Sequence, residues 1–130
     1  MGIRSAPLSG SCLVVLALLP LISLQNRQSD KGKKLSFAAD VAPLIKTYCL
    51  PCHLAENENP SGLALDNYEL VMKGGDHGNT VVPGKPEESN IYLKLLPTPP
   101  FGKQMARNKK KLTEEEVRIV HDWILQGAKP

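Results

Sequence analysis

The chain has 130 residues, 42% of them hydrophobic but only 5% aromatic, and a formal net charge of +3. That length leaves room for one small domain. The charge is unevenly placed: residues 1–34 hold +4 (Arg4, Arg27, Lys31, Lys33 and Lys34 against Asp30), which leaves −1 for residues 35–130 and removes the basic field a nucleic-acid binder needs.

Residues 1–34 read as a leader. Arg4 precedes an apolar run, Cys12 to Leu24, and a polar, lysine-rich stretch comes after it, the order of a secretory signal. The run is short and interrupted by Pro20, whereas a spanning helix needs about twenty apolar residues. Export to the periplasm or another extracytoplasmic space is the expectation, with an uncleaved membrane anchor as the alternative. Residues 35–130 form the expected domain.

Four helices are predicted there. In the first, Asp40 can cap and Pro43 falls in the first turn, where a missing N–H is no loss. Val41, Leu44, Ile45 and Tyr48 then share one face. A second is expected from Asp66, with Glu69 completing a capping box and Gly74 and Gly75 stopping it, and a third from Ser89 to Leu96, ended by Pro97, Pro99 and Pro100. The last has the clearest signals: Thr113 and Glu116 as a capping box, three glutamates at the positive end of the helix dipole, a Val117, Val120, Ile124 stripe with Trp123 beside it, and Gly127 as the stop. Only Thr80 to Val82 is briefly β-like, so the fold class is all-α. Four short helices and long polar loops leave little apolar mass for a core, which points to a large apolar group as part of it.

Cys49-Leu50-Pro51-Cys52-His53 is the CxxCH pattern of c-type haem attachment. Two thiols at this spacing can add to two vinyl groups of one porphyrin while the next side chain reaches the iron. Neutral His53 would ligate through one ring nitrogen and donate the other to a backbone carbonyl, sought between Leu54 and Leu63. Two plainer readings compete. A thioredoxin-like pair belongs between a strand and a helix, and here a helix precedes it. A closed zinc site needs four ligands, and the chain adds only His77 and His121. For the opposite face of the iron, Met105 lies in a proline- and lysine-rich loop with little other reason for a thioether, whereas Met72 sits in the second helix as core filler. His77 and His121 are the rival ligands.

The order of these residues resembles the planctomycete-type cytochrome c domain of the small haem c superfamily, from about Phe37 to Ala128. The likeness rests on Phe37, Asp40-Val41-x-Pro43, the CxxCH, Gly62-Leu63-x-Leu65-Asp66, Gly74-Gly75, Pro83-Gly84-x-Pro86 with Ser89, the loop at Met105, and Leu112-Thr113-x-x-Glu116 with Trp123-Ile124-x-x-Gly127-Ala128. It implies an all-α, cytochrome c-like fold whose terminal helices pack together around one covalent haem c, with His53 and Met105 as the axial pair. One departure is visible, since the family's methionine is commonly followed by proline and here Ala106 takes that place. The expected function is single-electron transfer without substrate chemistry. The alternatives are a haem sensor or peroxidase-like protein with an open distal position, and a haem-free thiol–disulfide protein. Lys103, Arg107, Lys109, Lys110 and Lys111 surround the distal loop, a basic rim suited to steering an acidic redox partner.

Overall fold

A computed structural model describes residues 1–2, 32–58, 61–107 and 109–130. The chain divides into two compact units, Met1–Lys31 and Gly32–Pro130. The expected leader lies almost wholly outside the described residues.

The second unit contains four α-helices and, among the described residues, no strand: α1 (Ala42–Tyr48), α2 (Tyr68–Lys73), α3 (Asn90–Leu93) and α4 (Glu114–Leu125). A π-helical turn, Phe37–Val41, leads into α1, and a 3-10 turn, Pro86–Glu88, precedes α3. The Thr80 to Val82 segment is irregular; the sheet-like feature nearby is a single bridge between Gly75 and Gly78.

Three starts differ from expectation by a few residues. The first helix begins at Ser36, whose hydroxyl accepts from the Ala39 N–H. Asp40 instead reaches back: its carboxylate accepts from the Ser36 N–H at 2.9 Å and from Lys33 Nζ at 2.6 Å. The reciprocal partner sits four residues on rather than three, in keeping with the wider π turn. In α2 the cap is Asn67, whose side chain accepts from the Leu70 N–H, while Asp66 accepts from the Ala55 N–H at 2.8 Å and so ties α2 to the preceding loop. Ser89 does not cap α3. It is fully buried, accepting from the Val82 N–H and donating to the Lys85 carbonyl, both at 2.8 Å. A hydroxyl spent on two loop groups cannot also serve a helix start.

The α4 start is as predicted, with both halves of the capping box present. Val120, Trp123 and Ile124 face inward from it, against Phe37, Val41 and Ile45 from the first helix, with Leu65, Val71, Val81, Leu95 and Ala128 completing the core. The first and last helices of this unit are thus packed on one another. Phe37 meets the Tyr68 ring edge-on at 5.6 Å and tilts against Trp123 at 5.9 Å. Polar ties reinforce the joint: Phe37 N–H and Trp123 Nε1–H both donate to the Lys129 carbonyl, and the Tyr68 hydroxyl donates to that of Ala128.

Another tie links α1 to α4. The Tyr48 hydroxyl donates to Glu116 at 2.9 Å. The Thr113 N–H, then the Tyr48 and Thr113 hydroxyls and the Lys110 charge, hold the Glu116 carboxyl below its ordinary value of 4.5, against the opposing effect of burial. A carboxyl depressed by folding stabilises the fold above its unfolded value and loses that contribution as pH falls through the folded one. Glu116→Gln is therefore expected to lose less thermal stability than wild type between about pH 6 and pH 3. Parallel acid slopes for the two proteins would contradict this.

Candidate functional site

α1 delivers the cysteines. Beyond Tyr48 the chain tightens, with the Cys49 and Leu50 N–H groups both donating to the Ile45 carbonyl, and a further turn brings the His53 N–H to the Cys49 carbonyl at 3.2 Å. Cys49 is half-buried and Cys52 exposed, both as free thiols. Burial, aided by Cys52 and opposed by Lys109, pushes the Cys49 thiol up to about 11. It is uncharged near neutrality, unlike a resting thiolate nucleophile.

His53 is oriented from the other side. Its Nδ1 lies 3.0 Å from the Leu63 carbonyl, within the segment where a partner was sought. A carbonyl can only accept, so Nδ1 carries the proton and Nε2 keeps its lone pair for a metal. The Leu65 N–H returns to the His53 carbonyl at 2.8 Å, so the histidine is gripped through both side chain and backbone. The Leu63 loop is itself docked on the residues after α2: the Asp76 N–H donates to the Ser61 carbonyl, and at Gly75 an added Cβ would lie 2.6 Å from the Ser61 oxygen and 2.9 Å from the Leu63 Cβ.

Met105 stands in a loop held by many small ties. Its N–H donates to the Lys94 carbonyl at 2.8 Å, and Gln104 Nε2 donates to that of Leu95. Its half-buried side chain packs against the core, while Ala106 beside it is buried. Lys111 Nζ donates to the Gln104 and Ala106 carbonyls at 3.2 and 2.6 Å. Lys109 Nζ crosses to the Thr47 and Leu50 carbonyls, which brings the methionine loop against the CxxCH segment. Farther along, Lys94 donates to the Phe101 carbonyl and lies over its ring at 4.5 Å. Burial, then the nearby Arg107 charge, pushes Lys94 below its usual value.

The other candidates are placed differently. Met72 is half-buried against the core. His77 is exposed, its ring 4.8 Å from that of Phe101. His121 Nδ1 lies 2.7 Å from Asp122, Nε2 lies 3.8 Å from Glu87, and its ring meets Tyr92 edge-on.

The chemistry of these residues fits a haem. Among the described residues no three His, Cys, Asp or Glu side chains converge as a metal set, and a closed zinc site needs four ligands. A helix and a turn flank the cysteines, which is not the strand-to-helix setting of a thioredoxin-like pair. A haem needs one histidine with a fixed tautomer, two thiols outside a disulfide, and apolar side chains at the edge of the core for the ring to cover. Leu44, Leu50, Leu63, Ile91, Met105 and Leu112 are such side chains, each partly covered and in contact with the core.

Sequence reasoning overlooked three contributors. Lys109 and Lys111 read as solvent-facing charge, and Gly75 as half of a helix stop, although only Gly74 occupies that cap. The one signal at Gly75 was the doubling itself, since a single glycine suffices to end a helix. No curated protein and no solved structure matches the chain. The family comparison gives a match from Cys49 to Thr98, narrower than the likeness running from Phe37 to Ala128 and ending before Met105. It takes in Cys49, Cys52, His53 and the Leu63 loop, and the family whose model residues 49–98 match is the one described as Planctomycete cytochrome C.

Proposed function

We propose that this chain is an exported electron-transfer protein, not an enzyme, that holds one haem c through thioethers at Cys49 and Cys52, with His53 and Met105 as axial ligands. The observation that carries the reading is the 3.0 Å approach of His53 Nδ1 to the Leu63 carbonyl, immediately after two free cysteines at the attachment spacing. A haem bound here supplies one-electron exchange between Fe(III) and Fe(II).

The rest is work for the chain. Leu63 holds the imidazole in one tautomer and raises its basicity, which favours the oxidised metal. The thioether of Met105, a softer donor, would hold the same metal, favour its reduced state and help to exclude water. The partly covered apolar side chains at the edge of the core, Leu44, Leu50, Leu63, Ile91 and Leu112 among them, would help to keep the surroundings dry. Lys103, Arg107 and Lys110, exposed beside the methionine loop, form the surface for an acidic redox partner; Lys109 and Lys111 add charge there while bonded to the chain's own carbonyls. Export rests on Arg4 and the Cys12 to Leu24 run, and an uncleaved leader would make an anchor of the same segment.

The test is the visible spectrum of the full chain, produced with haem-attachment machinery, oxidised and reduced, for wild type and Met105→Ala. A c-type spectrum whose weak methionine–iron charge-transfer band disappears in the variant is the expected result. A wild type without that band that binds carbon monoxide readily would shift the reading to a sensor or peroxidase-like protein. A colourless protein under the same conditions would remove both.

A further inference from the structure

We propose that Lys109 is a positioning residue: its ammonium group latches the Met105 loop to the backbone on either side of Cys49 and so sets how readily Met105 yields its place to an outside ligand. The role at the iron rests on Met105 being the distal ligand; the latch does not.

The geometry is specific. Lys109 joins the methionine loop to the segment that carries the CxxCH motif. Its Nζ donates to the Thr47 carbonyl at 3.3 Å and to that of Leu50, one residue before and one residue after the Tyr48-Cys49 pair. Thr47 lies in the last turn of α1 and Leu50 just beyond it, where carbonyls lack helical partners and the dipole favours a positive charge. An ammonium group has three donors and makes charge-assisted bonds, so one side chain can serve both. Lys111 acts within the loop, fixing the Gln104 and Ala106 carbonyls that flank Met105. The first lysine joins the loop to the attachment segment, and the second keeps the loop in shape. Met105 is followed by alanine, which adds no rigidity of its own, so side-chain ties to the backbone supply restraint the local sequence does not.

A loop that must open before an outside ligand can bind has an apparent affinity reduced by the fraction open. Two quantities report that fraction in the haem-loaded full chain: the affinity of the oxidised protein for imidazole, and the hydrogen-exchange rate of the Met105 amide, which is bonded to Lys94. For Lys109→Ala both are expected to rise by about tenfold, with exchange of the α4 core amides unchanged. Lys109→Arg should restore both, and Lys103→Ala, which removes an equal charge from the same loop, should leave both within about twofold of wild type. Wild-type values in Lys109→Ala would overturn the proposal, as would equal effects from Lys103→Ala, which would reduce it to net charge. If the wild type lacks the methionine band while Lys109→Ala still speeds Met105 exchange, the distal-ligand reading falls and the latch stands.

Discussion

Trp123→Ala is expected to cost about 4 kcal/mol, the range for removing a buried tryptophan, and to lower the melting temperature by on the order of 20 °C. Trp123 is fully buried where the first and last helices meet, with Phe37 on its ring and its indole N–H on the Lys129 carbonyl at 2.7 Å. Truncation removes the ring and the donor together, and a domain of this size holds about 5–15 kcal/mol in total. Trp123→Phe separates the two effects: it keeps most of the packing and gives up the hydrogen bond, so its cost should be about 1–2 kcal/mol. Urea unfolding followed by far-ultraviolet circular dichroism measures both. Equal costs for the two variants would mean that the hydrogen bond, not the ring, dominates.

Gly75→Ala is expected to act at a distance on His53. The new methyl group would meet the Ser61 carbonyl oxygen at 2.6 Å and the Leu63 Cβ at 2.9 Å, and a backbone oxygen cannot swing aside as a side-chain tip can. The Leu63 loop must shift, at about 1–3 kcal/mol of stability. That loop supplies the carbonyl His53 donates to, so the Nδ1 bond lengthens and the imidazole becomes a poorer donor. The oxidised state loses more from this than the reduced one, so the reduction potential of the haem-loaded protein should rise. Gly78 provides the control: its added Cβ would meet nothing, although its positive φ of 84° makes alanine strained there. A potential that rises in Gly75→Ala and not in Gly78→Ala would separate the loop displacement from general loosening; equal potentials in all three proteins would refute the coupling.

Much of this architecture is legible in the sequence. The α4 capping box, its Val120 and Ile124 stripe with Trp123, and the place of the cysteines after a helix are local features, and local propensity and periodicity encode them. Cap identities are less legible: Ser36 and Asn67 have capping side chains as good as those of Asp40 and Asp66, and tertiary partners decide which is used. Asp66 is taken by the Ala55 N–H, and Asp40 by Lys33 and Ser36. Ser89 looks like a helix start because a buried hydroxyl serving two loop groups leaves no periodic trace. The site divides the same way. Its cysteines and histidine announce themselves by spacing, but its orienting atom is a leucine carbonyl, and every residue has a carbonyl. Likewise a lysine that donates to backbone oxygens 62 and 59 positions away is indistinguishable in sequence from one that faces water.

The joining of the first and last helices also orders events in time. Leu35 is tied to Gln126 across 91 positions and Tyr48 to Glu116 across 68, so the core closes a loop holding nearly the whole domain, at roughly 4 kcal/mol of chain entropy. Cys49, Cys52 and His53 lie inside that loop, and Trp123 is made some seventy residues after them. A growing chain therefore presents Cys49, Cys52 and His53 while still open, before the last helix arrives to close over the joint.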